Sequence, residues 1–205
     1  MNLICNNCVG ARFYTIMGWQ FTNPFMWASI LPADFVKLVN DFDHLDLTDV
    51  SFDLEKWMKN DYYTVVATLS NGVKVHFIHY IQDDGKNGHK IEIDDSTNIL
   101  DADILAFARE KWFTRLSRMT EKPIFLFSFN YCKPERKSVY MSALKNLLSI
   151  KKDKLCILVH EGINIDSKQV SKNIKIVWCK SNVMNLNGAE LCHALKNNIL
   201  SLESF

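Results

Sequence analysis

The sequence predicts an α/β fold: a single domain made of an N-terminal strand-turn-helix, a β-hairpin, and a C-terminal, mostly parallel sheet flanked by helices. Three observations predict it. Beyond residue 123, apolar runs at 124–130, 154–160 and 174–179 are interleaved with segments of helical period at 135–149 and 187–201, the pattern of a parallel sheet covered on both faces. Upstream, the β-rich runs Tyr62 to Leu69 and Val73 to Ile81 are joined by Ser70-Asn71-Gly72, a strong hairpin signal. At the start of the chain, the short apolar run Leu3-Ile4-Cys5 leads into a helix-like stretch.

Taken in order, residues 2–5 form a strand and residues 9–17 a helix that Gly18 ends. The segment Phe21-Thr22-Asn23-Pro24-Phe25-Met26-Trp27 is dense in aromatics around an Asn-Pro turn signal, so it is a loop that packs inward. Pro32 opens a helix to about residue 41, with Phe35, Leu38 and Val39 at helical spacing. An acidic connection over 41–49 leads to the hairpin, and a polar loop at 83–88 follows it. Asp101 or Asp103 then caps a long helix to about residue 119. Leu105, Ala108, Trp112, Leu116 and Met119 share one of its faces, and Lys111, Arg115 and Arg118 form a stripe at the edge. No repeat or flexible linker divides the 205 residues, so 1–205 reads as one domain; a sub-division would fall at 1–120 and 121–205.

Composition excludes several classes of function. With 24 Lys and Arg against 23 Asp and Glu, the net charge of +1 supplies no field to draw the protein onto nucleic acid. No apolar run approaches the roughly 20 residues of a membrane span, and the N-terminus lacks the flanks of a secretory signal, so a cytoplasmic protein is expected. The six cysteines, at 5, 8, 132, 156, 179 and 192, are scattered, and several lie within apolar runs, which suits a reducing compartment. Cys5 and Cys8 form a C-x-x-C, yet no second closely spaced pair completes a zinc site. No metal or cofactor is expected. A redox dithiol and a buried Cys5 both stay open.

The residue to interrogate is Cys8, placed between an apolar strand and a helix start. A thiol there feels unpaired backbone N–H groups and the positive end of the helix dipole, which ease ionisation. The bland alternative is a small buried side chain at a tight turn. Within Val75-His76-Phe77-Ile78-His79-Tyr80, strand alternation separates His76 from His79, so one of the two faces the core side. A thiol at a helix start with an imidazole from a later strand is the layout of papain-like catalysis, and Cys8 with His79 follows that chain order. A core histidine bonded to backbone is the alternative for His79. Asn7 is the candidate oxyanion donor, and Asn6 a neighbouring binding residue. Either residue also suits plain turn geometry. Asp83, Asp94 and Asn98 are equally placed to orient the ring.

Lys111, Arg115 and Arg118 suit the grip of an anionic group, or equally a solvated helix flank. Gly10 at the turn permits close approach of a phosphate, although no standard nucleotide motif accompanies it.

The residues Asn6-Asn7-Cys8-Val9-Gly10, Tyr14, Phe21, Asn23-Pro24-Phe25, Asp34-Phe35, His76-Phe77-Ile78-His79-Tyr80 and Lys111-Trp112 with Arg115 and Arg118 carry a resemblance. Over about the first 120 residues the chain resembles a bacterial family whose members are labelled exopolysaccharide biosynthesis proteins and are encoded among capsule or lipopolysaccharide genes. The Asn-Cys with Pro24-Phe25-Met26-Trp27 is also similar to a family described as papain-like cysteine peptidases, where Pro-Phe-Asp-Trp is typical and Met26 here replaces the acid. Neither family brings an established activity.

The expectation is a Cys/His-dependent enzyme of acyl transfer or hydrolysis in surface-polysaccharide synthesis. Cys8, His79 and Asn7 are its catalytic candidates. Asn6, Gly10, Tyr14, Lys111, Arg115 and Arg118 are candidates to bind an anionic or sugar-containing small molecule. The alternatives are a glycosyltransferase that holds a nucleotide sugar at the strand ends, or a non-catalytic assembly protein of the same pathway. Oligomeric state is not legible in the sequence.

Overall fold

The computed structural model describes residues 1–56, 63–77, 98–129, 136–150, 154–160, 163–165, 170, 174–179 and 186–203. Two sheets organise the chain. The first joins β1 (Leu3–Cys5), β6 (Ile124–Ser128), β7 (Leu155–His160) and β8 (Ile174–Cys179) in the order β1-β6-β7-β8, all parallel. The second joins β2 (Ser29–Ile30), β5 (Lys74–Phe77), β4 (Tyr63–Leu69) and β3 (Val50–Lys56) in the order β2-β5-β4-β3, all antiparallel. The α/β fold expected from the sequence is the fold observed.

Alternation along the parallel strands sorts their side chains onto two cores. Leu3 and Cys5, Ile124 and Leu126, and Cys156 and Leu158 pack toward α1 (Val9–Met17) and α5 (Gly188–Glu203). Ile4, Phe125, Phe127, Leu155, Ile157 and Val159 pack toward α2 (Pro32–Asp41) and α4 (Lys137–Ser149). This second core runs on into Val65, Ala67, Val75 and Phe77 of the antiparallel sheet, and into Ala108 and Trp112 of α3 (Asn98–Leu116). One hydrophobic interior therefore spans residues on both sides of position 120.

Local chemistry explains the element ends. Gly18 takes the left-handed conformation, φ 67°, and its N–H returns to the Thr15 carbonyl, closing α1. Pro32 opens α2 behind an extended Leu31. Gly72, φ 80°, turns the β4–β5 hairpin; Asn71 Oδ1 accepts the Val73 N–H, and Asn71 Nδ2 donates to Asp41 Oδ2 at 2.9 Å.

The stretch after the acidic connection, assigned no element from the sequence, is a strand, β3, in which Val50, Phe52 and Leu54 alternate with Ser51, Asp53 and Glu55. Two expectations need correction. The long helix starts at Asn98, so Asp101 and Asp103 lie within it and do not cap it. The strand expected over 124–130 ends at Ser128. The expected continuation of β5 to Ile81 and the loop at 83–88 lie outside the described residues.

The aromatic loop packs inward as its composition suggests, with Phe25 and Met26 buried. It covers the outer edge of β1, which no other strand pairs among the described residues: Asn23 Nδ2 of the loop donates to the Leu3 carbonyl, and the Tyr14 hydroxyl of α1 accepts the Leu3 N–H. The loop leads into β2, whose Ile30 N–H donates to the Asn6 carbonyl at 2.9 Å. That bond ties the two sheets together just beyond the end of β1.

Candidate active site

The carboxyl end of β1 and the first turn of α1 bring Cys5, Asn6, Asn7, Cys8 and Gly10 into one compact corner. Cys8 immediately precedes α1 and is 6% exposed. The ionisation expected from the helix dipole is outweighed by burial, which pushes the Cys8 thiol up to about 11 against the lowering influence of its own backbone N–H and of Arg12. Burial pushes the Cys5 thiol further, to about 12. Both sulfurs are therefore neutral at pH 7, and neither is a ready thiolate.

The asparagines divide their roles. Asn6 is buried and spends its side chain on β6: Oδ1 accepts the Ser128 N–H at 2.7 Å, and Nδ2 donates to the Ser128 carbonyl at 3.1 Å. Asn7 Oδ1 accepts the Val9 N–H at 3.0 Å and the Cys5 thiol at 3.4 Å, tying the helix entry to the strand end. Asn7 Nδ2 is shielded from solvent and has no hydrogen-bond partner among the described residues. Among the described residues, the Asn6 amide nitrogen is already engaged and that of Asn7 is not.

Gly10 and Tyr14 have packing roles in this corner. A Cβ on Gly10 would lie 2.7 Å from the Cys5 Cβ, so glycine is what lets α1 sit directly on β1. The Tyr14 hydroxyl donates to the Met1 carbonyl at 2.7 Å as well as accepting from Leu3. The basic stripe turns toward the aromatic loop. Arg115 donates to the Met26 carbonyl at 3.1 Å and lies 5.6 Å from the centre of the Phe21 ring, while Arg118 donates to the Phe21 carbonyl at 3.4 Å. Lys111 covers the Phe107 ring at 5.1 Å.

His79, Asp83 and Asp94 lie outside the described residues, as does Cys132. His76 is buried on the sheet face opposite Phe77, level with Ser29 and Val66, and burial lowers its pKa, keeping the ring neutral.

The geometry also supplies residues that the sequence reading passed over. Ser128 ends an otherwise apolar strand, and its hydroxyl is buried and without a partner among the described residues. A cleft of about 540 Å³ lies between β3 and α3, lined by Val50, Ser51, Phe52, Leu105, Ala106 and Arg109. It contains none of the expected site residues. The missed alternation of β3 is the signal that would have placed its floor.

Residues 1–90 match the model of a family described as a domain of unknown function (DUF1919). The match runs from β1 through β5 and so takes in the Asn6-Asn7-Cys8 turn, Tyr14, the aromatic loop, His76 of β5 and, in sequence, His79. Ser128, Arg115 and Arg118 lie beyond it. No curated protein matches the chain. Among the described residues, no helix is long and apolar enough to cross a membrane, and no three His, Cys, Asp or Glu side chains converge as a metal site.

Proposed function

We propose that this chain is a cytoplasmic enzyme of surface-polysaccharide synthesis that transfers or hydrolyses an acyl group through Cys8. The observation that carries the reading is the pairing of a buried thiol at the entry of α1 with an adjacent amide, Asn7 Nδ2, held without a partner among the described residues. A thiol near 11 is almost wholly protonated at neutral pH, so a base is needed, and His79 has that role in this reading. His79 takes the thiol proton while sulfur bonds to the acyl carbon, and the carbonyl π pair moves onto oxygen, where Asn7 donates to it. Collapse of the adduct expels the leaving group, which takes the proton from the imidazolium. The thioester then passes its acyl group to a hydroxyl of a sugar acceptor or to water. The pathway assignment is supported by the family resemblance of the first 120 residues. In this reading, Arg115 and Arg118 serve the site through the aromatic loop they hold.

One set of contacts favours a second reading, a non-catalytic binding or assembly role in the same pathway. Asn6, Tyr14, Arg115 and Arg118 all make internal bonds.

Brief iodoacetamide treatment of the folded chain, read by mass spectrometry from pH 6 to 9, separates the two readings. The enzyme reading expects Cys8 to alkylate with an inflection near the ordinary imidazole pKa of about 6.5, lost in His79→Asn. Alkylation that rises only with strong alkali, equal in both proteins, supports the assembly role and overturns the catalytic one.

A further inference from the structure

Ser128 is the last residue of β6 and is 0% exposed. Its backbone is committed on both sides to the Asn6 amide. Its hydroxyl is not: Oγ is sealed from solvent and has no hydrogen-bond partner among the described residues. Folding rarely leaves a buried hydroxyl in that state, because the group gives up its water and receives nothing in return.

Strand alternation fixes the face on which it stands. Phe125, Phe127 and Phe129 belong to the core toward α2 and α4, whereas Ile124 and Leu126 belong to the core toward α1 and α5. Ser128 follows Leu126 on the α1 side. The parallel register sets Cys5 beside Leu126, and the Asn6 side chain that follows β1 bonds the Ser128 backbone, so Asn7, the next residue, adjoins the end of β6. The carboxyl end of the β1–β6 pair thus carries two buried donors without partners among the described residues, Ser128 Oγ and Asn7 Nδ2. Asn7 stands in the turn that holds Cys8, at the positive end of the α1 dipole, and Ser128 is tied to that turn through Asn6.

We infer that Ser128 Oγ and Asn7 Nδ2 together form the binding position for the oxygen of the acyl group that Cys8 attacks. The inference rests on the proposed Cys8 chemistry and adds to it a donor from beyond the DUF1919 match. The physical case is preorganisation: a donor fixed in a water-poor corner without a partner needs no reorientation when negative charge appears on oxygen. As the S–C bond forms and the carbonyl π pair becomes an oxygen lone pair, that oxygen accepts from the O–H and N–H groups. The Asn6 clamp on the Ser128 backbone holds that hydroxyl at a fixed height above the sheet.

Two reactions of Cys8 on the full chain test this. Acylation by p-nitrophenyl acetate passes through an oxyanion: sulfur bonds to the acetyl carbon and p-nitrophenolate leaves. Alkylation by iodoacetamide displaces iodide and forms no oxyanion. Ser128→Ala is expected to slow acylation about 100-fold while alkylation holds its wild-type rate, and Ser128→Thr, which keeps a hydroxyl, to retain most of the acylation. Ser128→Ala is also expected to melt no lower than wild type, because it deletes a buried polar atom that has no partner among the described residues. Equal acylation in wild type and Ser128→Ala, or a parallel fall in both reactions with a lowered melting temperature, overturns the assignment and leaves the Cys8 reading in place. A wild-type Cys8 inert to both reagents ends the two together.

Discussion

Asn6 pairs with Ser128 as if it were one more residue of the sheet, its side-chain amide accepting the Ser128 N–H at 2.7 Å and donating to the Ser128 carbonyl at 3.1 Å. The backbone after β1 is thereby released from the ladder and turns into α1, while the Asn6 carbonyl serves the second sheet through Ile30. One buried amide thus substitutes for a stretch of strand at the point where the chain must leave it.

Removing that amide strands two backbone groups away from water. Asn6→Ala is expected to lower unfolding stability by about 2–4 kcal/mol, measured by urea denaturation, because an N–H and a carbonyl both lose their partners. Asn6→Asp is expected to cost at least as much, since a carboxylate cannot donate to the Ser128 carbonyl and carries charge into a buried site. A loss below about 0.5 kcal/mol for the alanine variant would show that the clamp has no structural weight.

The contact of α1 with β1 makes a second expectation. Gly10→Ala places its new Cβ 2.7 Å from that of Cys5, so helix and strand must part, at a cost of about 1–3 kcal/mol. The double variant Gly10→Ala with Cys5→Gly removes the colliding atom and is expected to be more stable than the sum of the two single losses. Strict additivity in thermal melts would place the strain elsewhere.

What the sequence revealed follows from the range of the interactions involved. The hairpin at Asn71-Gly72, the stop at Gly18 and the start at Pro32 are set by local backbone chemistry, and each stands where the residues place it. β3 is less legible because its apolar residues are only partly buried and alternate with charged and polar ones in a short run. The Cys8 turn was legible as a strand-to-helix junction, but its electrostatics were not. The dipole that eases ionisation is written into the local sequence, whereas the burial that opposes it arises only when the chain packs around the turn. Ser128 was not legible for the same reason, since what seals its hydroxyl and clamps its backbone, including Asn6 122 positions away, is set by tertiary packing.

The buried thiols make the fold sensitive to alkali. Cys5 and Cys156 are each raised to about 12 from an ordinary value of 9.0, chiefly by desolvation. Above pH 9 the unfolded chain gives up these protons while the folded chain retains them. Stability is therefore fully present below pH 9 and declines as pH rises toward 12, by roughly 1.4 kcal/mol per unit for each thiol. Denaturation between pH 8 and 10.5 is expected to show this decline, and Cys156→Ala to make it shallower. An unchanged slope in the variant would remove the thiol from the account.

Arg115 and Arg118 differ in what they hold, and that difference separates a brace from an anion grip. Arg115 is half-buried, reaches the Met26 carbonyl at 3.1 Å and stacks on Phe21, whereas Arg118 is exposed and reaches the Phe21 carbonyl only at 3.4 Å. Arg115→Ala is expected to cost about 1–2 kcal/mol, since it frees the loop that covers the outer edge of β1. Arg118→Ala is expected to stay within about 0.5 kcal/mol of wild type. If the pair instead bound an anion directly, excess inorganic phosphate would raise the melting temperature of the wild type and not of either variant, because a ligand stabilises only the protein that binds it. The brace predicts no such difference between the three proteins, so a single series of melts with and without phosphate decides what these two cations are for.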